Sequence, residues 1–384
     1  MFEIPLTETT LDEEEIAAAT AVLRSKWLTM GAEVAAFERE FAAALGAREA
    51  IAVSNGTVAL ELSLRALELK PDDEVILPAI TFIACLNAVR LCGAKAVLAD
   101  VTSENDWTIG IDDVRRKITS RTRAIIPMAH SGFAPDMTAL MQIAGERRIA
   151  VIEDGCHAPL AEVDGRKIGT FGIAGCWSFF GNKNMTTGEG GMITTNDGDF
   201  AAKIRLMRSH GITKATWDRA RGHASSYDVA LVGTNGRMDE IRAAIGRVQL
   251  AKLAKGNAAR GKFSGKLRVR LEEKRIDGLV IPFAGHRGTS SHHLFCVLLP
   301  AGVSRDRVME EMKARGVQTS IHYPPLNGFS ATGKYFAEEG RGVGLPVTDA
   351  IAGRILTLPL SPTFDDGIAA RIANALDESI RAAR

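Results

Sequence analysis

Short apolar segments alternate with helix-like segments over the first two-thirds of the chain, and this alternation limits the possible folds more than any other feature. The strand-like segments are IAVSN (51–55), EVILP (74–78), RAIIPMAH (123–130) and IAVIED (149–154), with helical patterns such as TVALELSLRAL (57–67) between them. Short, almost continuously apolar strands joined by helices are typical of βαβ units, in which helices cover both faces of a parallel sheet. The sequence therefore predicts an α/β fold with a mostly parallel sheet.

The length of the chain and a change in its composition predict two domains. With 384 residues, the chain is longer than a single core usually supports. A basic stretch over 252–274 predicts a long helix, and the segments after it alternate as in a compact α+β unit. We therefore expect a large domain over 1–251 and a small C-terminal α+β domain over 252–384. The N-terminal segment is a candidate to pack on the small domain.

Charge and composition exclude several classes of partner. The formal net charge is +1, whereas electrostatic binding to nucleic acid or to an anionic membrane requires an excess of basic residues. No apolar run reaches the length of a membrane span, and the acidic N-terminus lacks the pattern of a signal peptide. We therefore expect a cytoplasmic protein that binds neither nucleic acid nor membrane.

The cysteines and histidines do not form a metal-binding pattern. The five cysteines are scattered and form no CxxC pair, so neither a zinc site nor a disulfide framework is predicted. His292 and His293 are adjacent, and adjacent residues on a strand point to opposite faces. We therefore expect no metal site.

Polar residues follow the predicted strands at positions where α/β sheets bind ligands. Ser54–Thr57 lies between a strand and a helix N-terminus, which suits either a phosphate or an ordinary helix cap. Asp154 ends an apolar strand, and Lys183 lies in a glycine-rich turn after another strand. A phosphate site, a carboxylate and a lysine with lowered pKa together suit pyridoxal 5'-phosphate (PLP), although each alone has a simpler structural interpretation.

Four longer stretches occur in an order that carries a family resemblance. They are SNGTVAL (54–60), VIEDGCHA (151–158), SFFGNKNMTTGEGGMITTND (178–197) and NGRMDEIRAAIGRVQL (235–250). With them the chain resembles, over nearly its whole length, the DegT-type family of fold-type I PLP enzymes, most of which are sugar aminotransferases. The resemblance implies PLP as the cofactor.

The resemblance also implies roles around the ring of the cofactor. Lys183 would form the Schiff base with PLP, and Asp154 would pair with the pyridine nitrogen. His157 would contact the 3'-oxygen, and Phe82 would stack on the face of the ring. Lys183 and Asp154 are thus the predicted catalytic residues.

Further residues are implied at the phosphate and toward the substrate. The predicted phosphate contacts on the same chain are Gly56, Thr57 and Ser178. Asn235 would reach the phosphate of a second subunit, so that a homodimer would share its active sites. His322 and Tyr323, in the small domain, would face the substrate.

Two positions depart from the family pattern. Many relatives have a tyrosine directly after the interface asparagine, whereas this chain has Gly236. Cys156 stands where alanine is common, and the pattern favours a packing role over a redox role.

The resemblance predicts an aminotransferase that moves an amino group from glutamate or glutamine to a keto sugar, commonly a nucleotide-linked one. A non-nucleotide ketone, such as a cyclitol ketone, is an alternative acceptor. A regulatory protein that binds PLP without turnover is a different class, which loss of the lysine or of the carboxylate would favour. A nicotinamide oxidoreductase would need a glycine fingerprint that the sequence lacks.

Overall fold

A seven-stranded sheet forms the centre of the larger part of the molecule. The computed structural model describes residues 2–213, 228–338 and 344–384. The strands are β1 (Glu49–Val53), β2 (Glu74–Pro78), β3 (Lys95–Ala99), β4 (Val101–Ser103), β5 (Asp106–Ile109), β6 (Thr122–Ile125), β7 (Ala150–Asp154), β8 (Glu162–Val163), β9 (Arg166–Lys167), β10 (Ala174–Ser178), β11 (Gly191–Thr195), β12 (Phe295–Leu298) and β13 (Ile355–Leu358).

Helices precede, connect and follow these strands. They are α1 (Glu13–Ser25), α2 (Ala32–Leu45), α3 (Gly56–Ala66), α4 (Ile83–Leu91), α5 (Ile111–Lys117), α6 (Met137–Arg147), α7 (Gly198–Met207), α8 (Glu240–Glu273), α9 (Arg305–Ala314), α10 (Ser330–Glu338), α11 (Pro346–Ile351) and α12 (Asp366–Ala383). Among the described helices, none combines the length and the hydropathy that a bilayer crossing requires.

The order of the strands confirms the predicted α/β fold. The central sheet runs β1-β11-β10-β7-β6-β2-β3. The pairs β10–β7, β7–β6, β6–β2 and β2–β3 are parallel, whereas β11 is antiparallel to both of its neighbours. The carboxyl ends of the parallel strands therefore meet at one edge, where β7 ends at Asp154 and β10 ends at Ser178.

Two apolar layers cover the faces of this sheet because successive side chains of each strand point to opposite sides. In β1, Ile51 and Val53 pack into one layer with helices α3, α4 and α7. Ala50 and Ala52 face the other layer, where α2 and α6 pack. These short apolar strands read as continuous runs in the sequence because both of their faces are buried.

A buried carboxylate fixes the start of α2. The cap residue Gly31 has no side chain to accept from the free N–H groups of the first turn. Glu240, at the first position of α8, accepts from the N–H groups of Gly31, Glu33 and Val34 at 2.8, 2.9 and 2.9 Å. Its negative charge also complements the positive end of the α2 dipole. The contact joins the N-terminal part of the chain to the long helix.

Helix α8 runs from the core of the large part into a second core. The prediction of a long helix over 252–274 is confirmed, and the helix begins earlier, at Glu240. Its residue Leu253 packs in the α2 layer. Its residues Phe263 and Leu267 pack against the two-stranded sheet β12–β13 and helices α9 and α12, which form the small α+β unit.

The predicted boundary at residue 252 falls inside α8, so we propose two units that share this helix. The N-terminal segment contacts the small unit, since Ile4 forms a parallel bridge to Val317 and packs in its core. Leu326 and Phe336, by contrast, pack in the α3–α4 layer of the large unit.

Candidate active site

A cavity of about 530 Å³ opens at the carboxyl edge of the sheet. Among its lining residues are nine of the residues singled out from the sequence: Gly56, Thr57, Phe82, Asp154, His157, Ser178, Lys183, His322 and Tyr323. A larger cavity, of about 690 Å³, lies elsewhere and holds none of these nine, so size alone does not identify the site. Asn235 is exposed and does not line the smaller cavity.

Lys183 lies in the turn that joins β10 to β11. Its N–H donates to the Phe180 carbonyl at 2.9 Å, which closes the turn and directs the chain back toward β11. Burial lowers the pKa of the Lys183 amine, although the nearby Cys156 thiol and Asp154 carboxylate oppose this shift. A lowered pKa increases the neutral fraction, and the neutral amine is the form that attacks an aldehyde or accepts a proton.

Asp154 and Glu153 are adjacent in β7, and their side chains have different hydrogen-bond partners. Asp154 faces the cavity, where its Oδ1 accepts from the Cys156 N–H and its Oδ2 from the Cys85 thiol, both at 3.1 Å. Glu153 accepts from the N–H groups of Gly169, Phe171 and Gly172, at 2.6, 2.8 and 2.8 Å.

Burial raises the pKa of Glu153 to about 7, and the three backbone hydrogen bonds oppose the rise. Glu153 therefore organises the loop over 169–172, while Asp154 is the strand-end carboxylate that lines the cavity.

The N-terminus of α3 offers an anion site. Asn55 caps the helix by accepting from the Val58 N–H at 2.9 Å. The N–H groups of Gly56 and Thr57 have no acceptor within the part of the chain that the structure describes. A Cβ atom added at Gly56 would lie 2.9 Å from Ser178 Cβ, so glycine permits the close approach of α3 to the end of β10.

Four histidines, His130, His157, His293 and His322, form a group beside Lys183 that we call the histidine cluster. The first three are buried and His322 is half-buried. Burial lowers the pKa of His130 to about 4 and that of His322 to about 3. The pKa values of His157 and His293 are held well below their ordinary range by burial first and by the charge of Lys183 second. These rings are therefore neutral at physiological pH.

Tyr323 and His157 form a polar pair between the small unit and the sheet edge. The Tyr323 hydroxyl lies 2.9 Å from His157 Nε2, and the two rings are stacked with an interplanar angle of 27°. His157 Nδ1 is buried and has no hydrogen-bond partner among the described residues. A buried nitrogen without a partner is costly unless a ligand supplies one.

His130 and His293 form hydrogen bonds that fix the segments around the cavity. His130 Nε2 donates to the His322 carbonyl at 3.1 Å, which leaves His130 Nδ1 to accept from the Ser131 hydroxyl. His293 lies against His157, with ring centroids 4.2 Å apart, and its Nδ1 donates to Asn184 Oδ1 at 2.8 Å. Within the described ranges, no three histidine, cysteine or acidic side chains could jointly hold a metal ion.

Three residues of the site carried no functional expectation from the sequence: Cys85, His130 and His293. Cys85 and His130 lie in otherwise apolar segments, so pattern alone gives no signal for them. In the sequence, His293 stands out only as half of a possible metal-binding pair. The structure shows it buried, while His292 is less buried and its Nδ1 has no partner in the described part of the chain.

The two departures from the family pattern have local explanations. Gly236 is buried, and a Cβ atom there would lie 2.8 Å from Val58 Cγ1, so the present packing has no room for a side chain. Burial, and then the charge of Asp154, raise the pKa of the Cys156 thiol well above its ordinary value. Cys156 therefore stays protonated and acts as a small packing residue of the cavity wall.

These groups fit PLP. The free N–H groups of Gly56 and Thr57 suit its phosphate, and the unpartnered Nδ1 shows that His157 has hydrogen-bonding capacity to spare. The Asp154 carboxylate suits a protonated ring nitrogen, and the Lys183 amine suits the aldehyde.

Comparisons with known proteins agree with this interpretation. The profile of the DegT/DnrJ/EryC1/StrS aminotransferase family matches residues 9–377. The spore coat polysaccharide biosynthesis protein SpsC of Bacillus subtilis is 34% identical over 387 residues, covering 99% of this chain and 98% of SpsC.

The solved structures that match nearly the whole chain include PseC and Spr1654. Helicobacter pylori PseC, an aminotransferase involved in the biosynthesis of pseudoaminic acid, is 25% identical with a TM-score of 0.92, covering 99% of this chain and 100% of PseC. The PMP form of Spr1654 from Streptococcus pneumoniae is 25% identical with a TM-score of 0.89, covering 100% of both chains.

Proposed function

This chain belongs to the DegT/DnrJ/EryC1/StrS aminotransferase family, and we propose that it moves an amino group from glutamate or glutamine to a nucleotide-linked keto sugar. It is a sugar aminotransferase, and its cofactor is PLP. The observation that carries the proposal is that Lys183, Asp154 and the open N-terminus of α3 all line the same cavity. The presence of both catalytic groups in it disfavours a regulatory protein that only binds PLP.

Lys183 is the proposed amine of the reaction. When bound, PLP supplies an aldehyde that amines can join and an electron-poor ring that stabilises negative charge on the reacting carbon. Burial lowers the pKa of Lys183, so a larger fraction of the amine is neutral and able to attack. When the Lys183 amine is not joined to the aldehyde, its Nζ would act as the base that takes a proton from the substrate carbon and as the acid that gives that proton back.

Asp154, His157 and Phe82 are the proposed ring contacts. The Asp154 carboxylate, held at both oxygens, would keep a proton on the ring nitrogen. His157 is neutral and hydrogen-bonded at Nε2 by Tyr323, so its ring is fixed in orientation. Phe82 lines the cavity and is 50% exposed, which makes its ring available for stacking.

We propose that two subunits of a homodimer share each phosphate site. Gly56, Thr57 and Ser178 would bind the phosphate from this chain, yet Lys183 is the only cationic side chain among the described lining residues. Asn235 is exposed on the loop ahead of α8 and lies outside its own cavity, a position that permits contact with a partner. We therefore propose that Asn235 donates to the phosphate bound by the partner subunit.

The acceptor is proposed from the sugar pathways of the relatives. SpsC is named for polysaccharide biosynthesis and PseC for pseudoaminic acid biosynthesis, which supports a sugar acceptor. The nucleotide linkage is proposed from the family resemblance of the sequence alone. His322 and Tyr323, on the small-unit side of the cavity, are the proposed contacts to the acceptor.

Two half-reactions test the proposal separately. The PLP-loaded protein is mixed with glutamate, glutamine or aspartate, and conversion of PLP to its amine form is followed by absorbance. The amine form is then offered matched pairs of keto sugars with and without a nucleoside diphosphate, and products are identified by mass spectrometry. We expect conversion with glutamate or glutamine and amination of the nucleotide-linked member. Amination of free keto sugars or cyclitol ketones alone would contradict the nucleotide-linked acceptor.

A further inference from the structure

The Asp154 carboxylate has a sulfur donor at the oxygen that the backbone does not bind. Cys85 Sγ donates to Asp154 Oδ2 at 3.1 Å, from the first turn of α4. The Thr81 hydroxyl lies 3.6 Å from Cys85 Sγ and donates to Met128 Sδ at 2.9 Å, so it does not bind the carboxylate. The side chain that donates to Asp154 Oδ2 is therefore a thiol, which is a weak donor, and not the neighbouring hydroxyl of Thr81.

The thiol remains a donor throughout the working pH range. Cys85 is fully buried, and burial together with the charge of Asp154 raises the pKa of its thiol well above the ordinary value. The proton therefore stays on sulfur, and its only charged neighbour within hydrogen-bond distance, among the described residues, is Asp154. This geometry fixes the direction of the hydrogen bond.

The strength of this donor affects how much negative charge Asp154 can present to the cavity. Hydrogen bonds to an ionised acceptor are roughly twice as strong as neutral ones, and a thiol donates less strongly than a hydroxyl. We propose that Cys85 is a positioning residue, whose weak hydrogen bond orients the Asp154 carboxylate and leaves most of its negative charge available to the protonated ring nitrogen of the cofactor. This inference rests on the proposed role of Asp154.

The test compares three side chains at position 85 in the PLP-loaded protein. PLP labelled with ¹⁵N at the ring nitrogen is bound to the wild type, Cys85→Ser and Cys85→Ala, and the ¹⁵N resonance is followed with pH. A hydroxyl should lower the pH midpoint for loss of the ring proton by about 0.5–1 unit, because it stabilises the carboxylate more. Removing the donor should raise the midpoint, so we expect the order Ala, then Cys, then Ser from highest to lowest.

A purely structural role for Cys85 would give a different result. Loss of packing would move the serine and alanine midpoints in the same direction, or move neither, and either outcome would overturn the inference. Cys176→Ser is the matched control, since Cys176 is equally buried but contacts Ser63 Oγ at 3.4 Å and not the carboxylate. Its midpoint should equal that of the wild type.

Asp154→Asn separates the inference from the function on which it rests. If this variant leaves the ring-nitrogen resonance unchanged, the proposed role of Asp154 is wrong. If it moves the resonance while the Cys85 series does not, only the inference about Cys85 is overturned. Should the alanine variant not fold, the serine variant decides alone, and a midpoint equal to that of the wild type contradicts the inference.

Discussion

The contact of Gly56 with the end of β10 makes a sharp prediction about cofactor binding. In Gly56→Ala the new methyl group would lie 2.9 Å from Ser178 Cβ and 3.3 Å from Cys156 Sγ. Separations this short force α3 and β10 apart, and overpacking of this kind costs about 1–3 kcal/mol. If this strain displaces the N-terminus of α3 from its position as the phosphate site, the Kd for PLP should rise about 5- to 150-fold.

Gly198→Ala is the matched control for this prediction. Gly198 is also the first residue of a helix that follows a strand, yet the nearest atom to its added Cβ, Arg48 Nη2, is 3.9 Å away. Titration of each apoprotein with PLP, followed by fluorescence, gives the Kd, and a melting curve shows that each variant is folded. Equal PLP affinities for the two variants would refute the argument.

Pyridoxal without phosphate adds a second control for Gly56→Ala. Because the proposed strain acts through the phosphate contact, binding of pyridoxal should differ little between Gly56→Ala and the wild type. An equal loss of affinity for both ligands would place the effect elsewhere in the cavity.

Three further predictions follow from the site. The histidine cluster is neutral when folded because the pKa of each member is lowered, so the unfolded chain takes up more protons below about pH 6.5. Apoprotein stability should therefore fall by roughly 3–5 kcal/mol per pH unit between pH 6 and 5, and urea midpoints that stay constant there would contradict this. Asp154→Asn should slow the donor half-reaction by about 2–4 kcal/mol of activation free energy, measured by stopped-flow absorbance; a near wild-type rate would exclude the proposed role. Mixing inactive Lys183→Ala subunits with Asn235→Asp subunits should restore up to about half the activity per heterodimer, since one site is then intact. No restored activity, with heterodimers confirmed by native mass spectrometry, would exclude the shared site.

The sequence predicted the layers of the fold better than the order of its strands. Buried parallel strands leave a local pattern, because both faces are apolar and helices follow at regular intervals. The antiparallel placement of β11 between β1 and β10 has no such pattern, since it depends on pairing between residues far apart in the chain.

The site was predictable where it follows strand ends and unpredictable where distant segments meet. Asp154 and Ser178 end parallel strands, so their approach to one edge follows from the fold class. The hydrogen bond of Tyr323 to His157 joins residues 166 positions apart, and nothing local predicts it. The role proposed for Cys85 could not be predicted, because a cysteine in an apolar helix is typical of an ordinary core residue.

Chemical trapping of the cofactor tests the central claim most directly. The PLP-loaded protein is reduced with borohydride, digested, and searched by mass spectrometry for peptides that carry the reduced cofactor. Because the Lys183 amine lines the cavity and its pKa is lowered by burial, we predict one modified peptide, containing Lys183. Modification of a different lysine, or recovery of PLP bound to no lysine, would contradict the account.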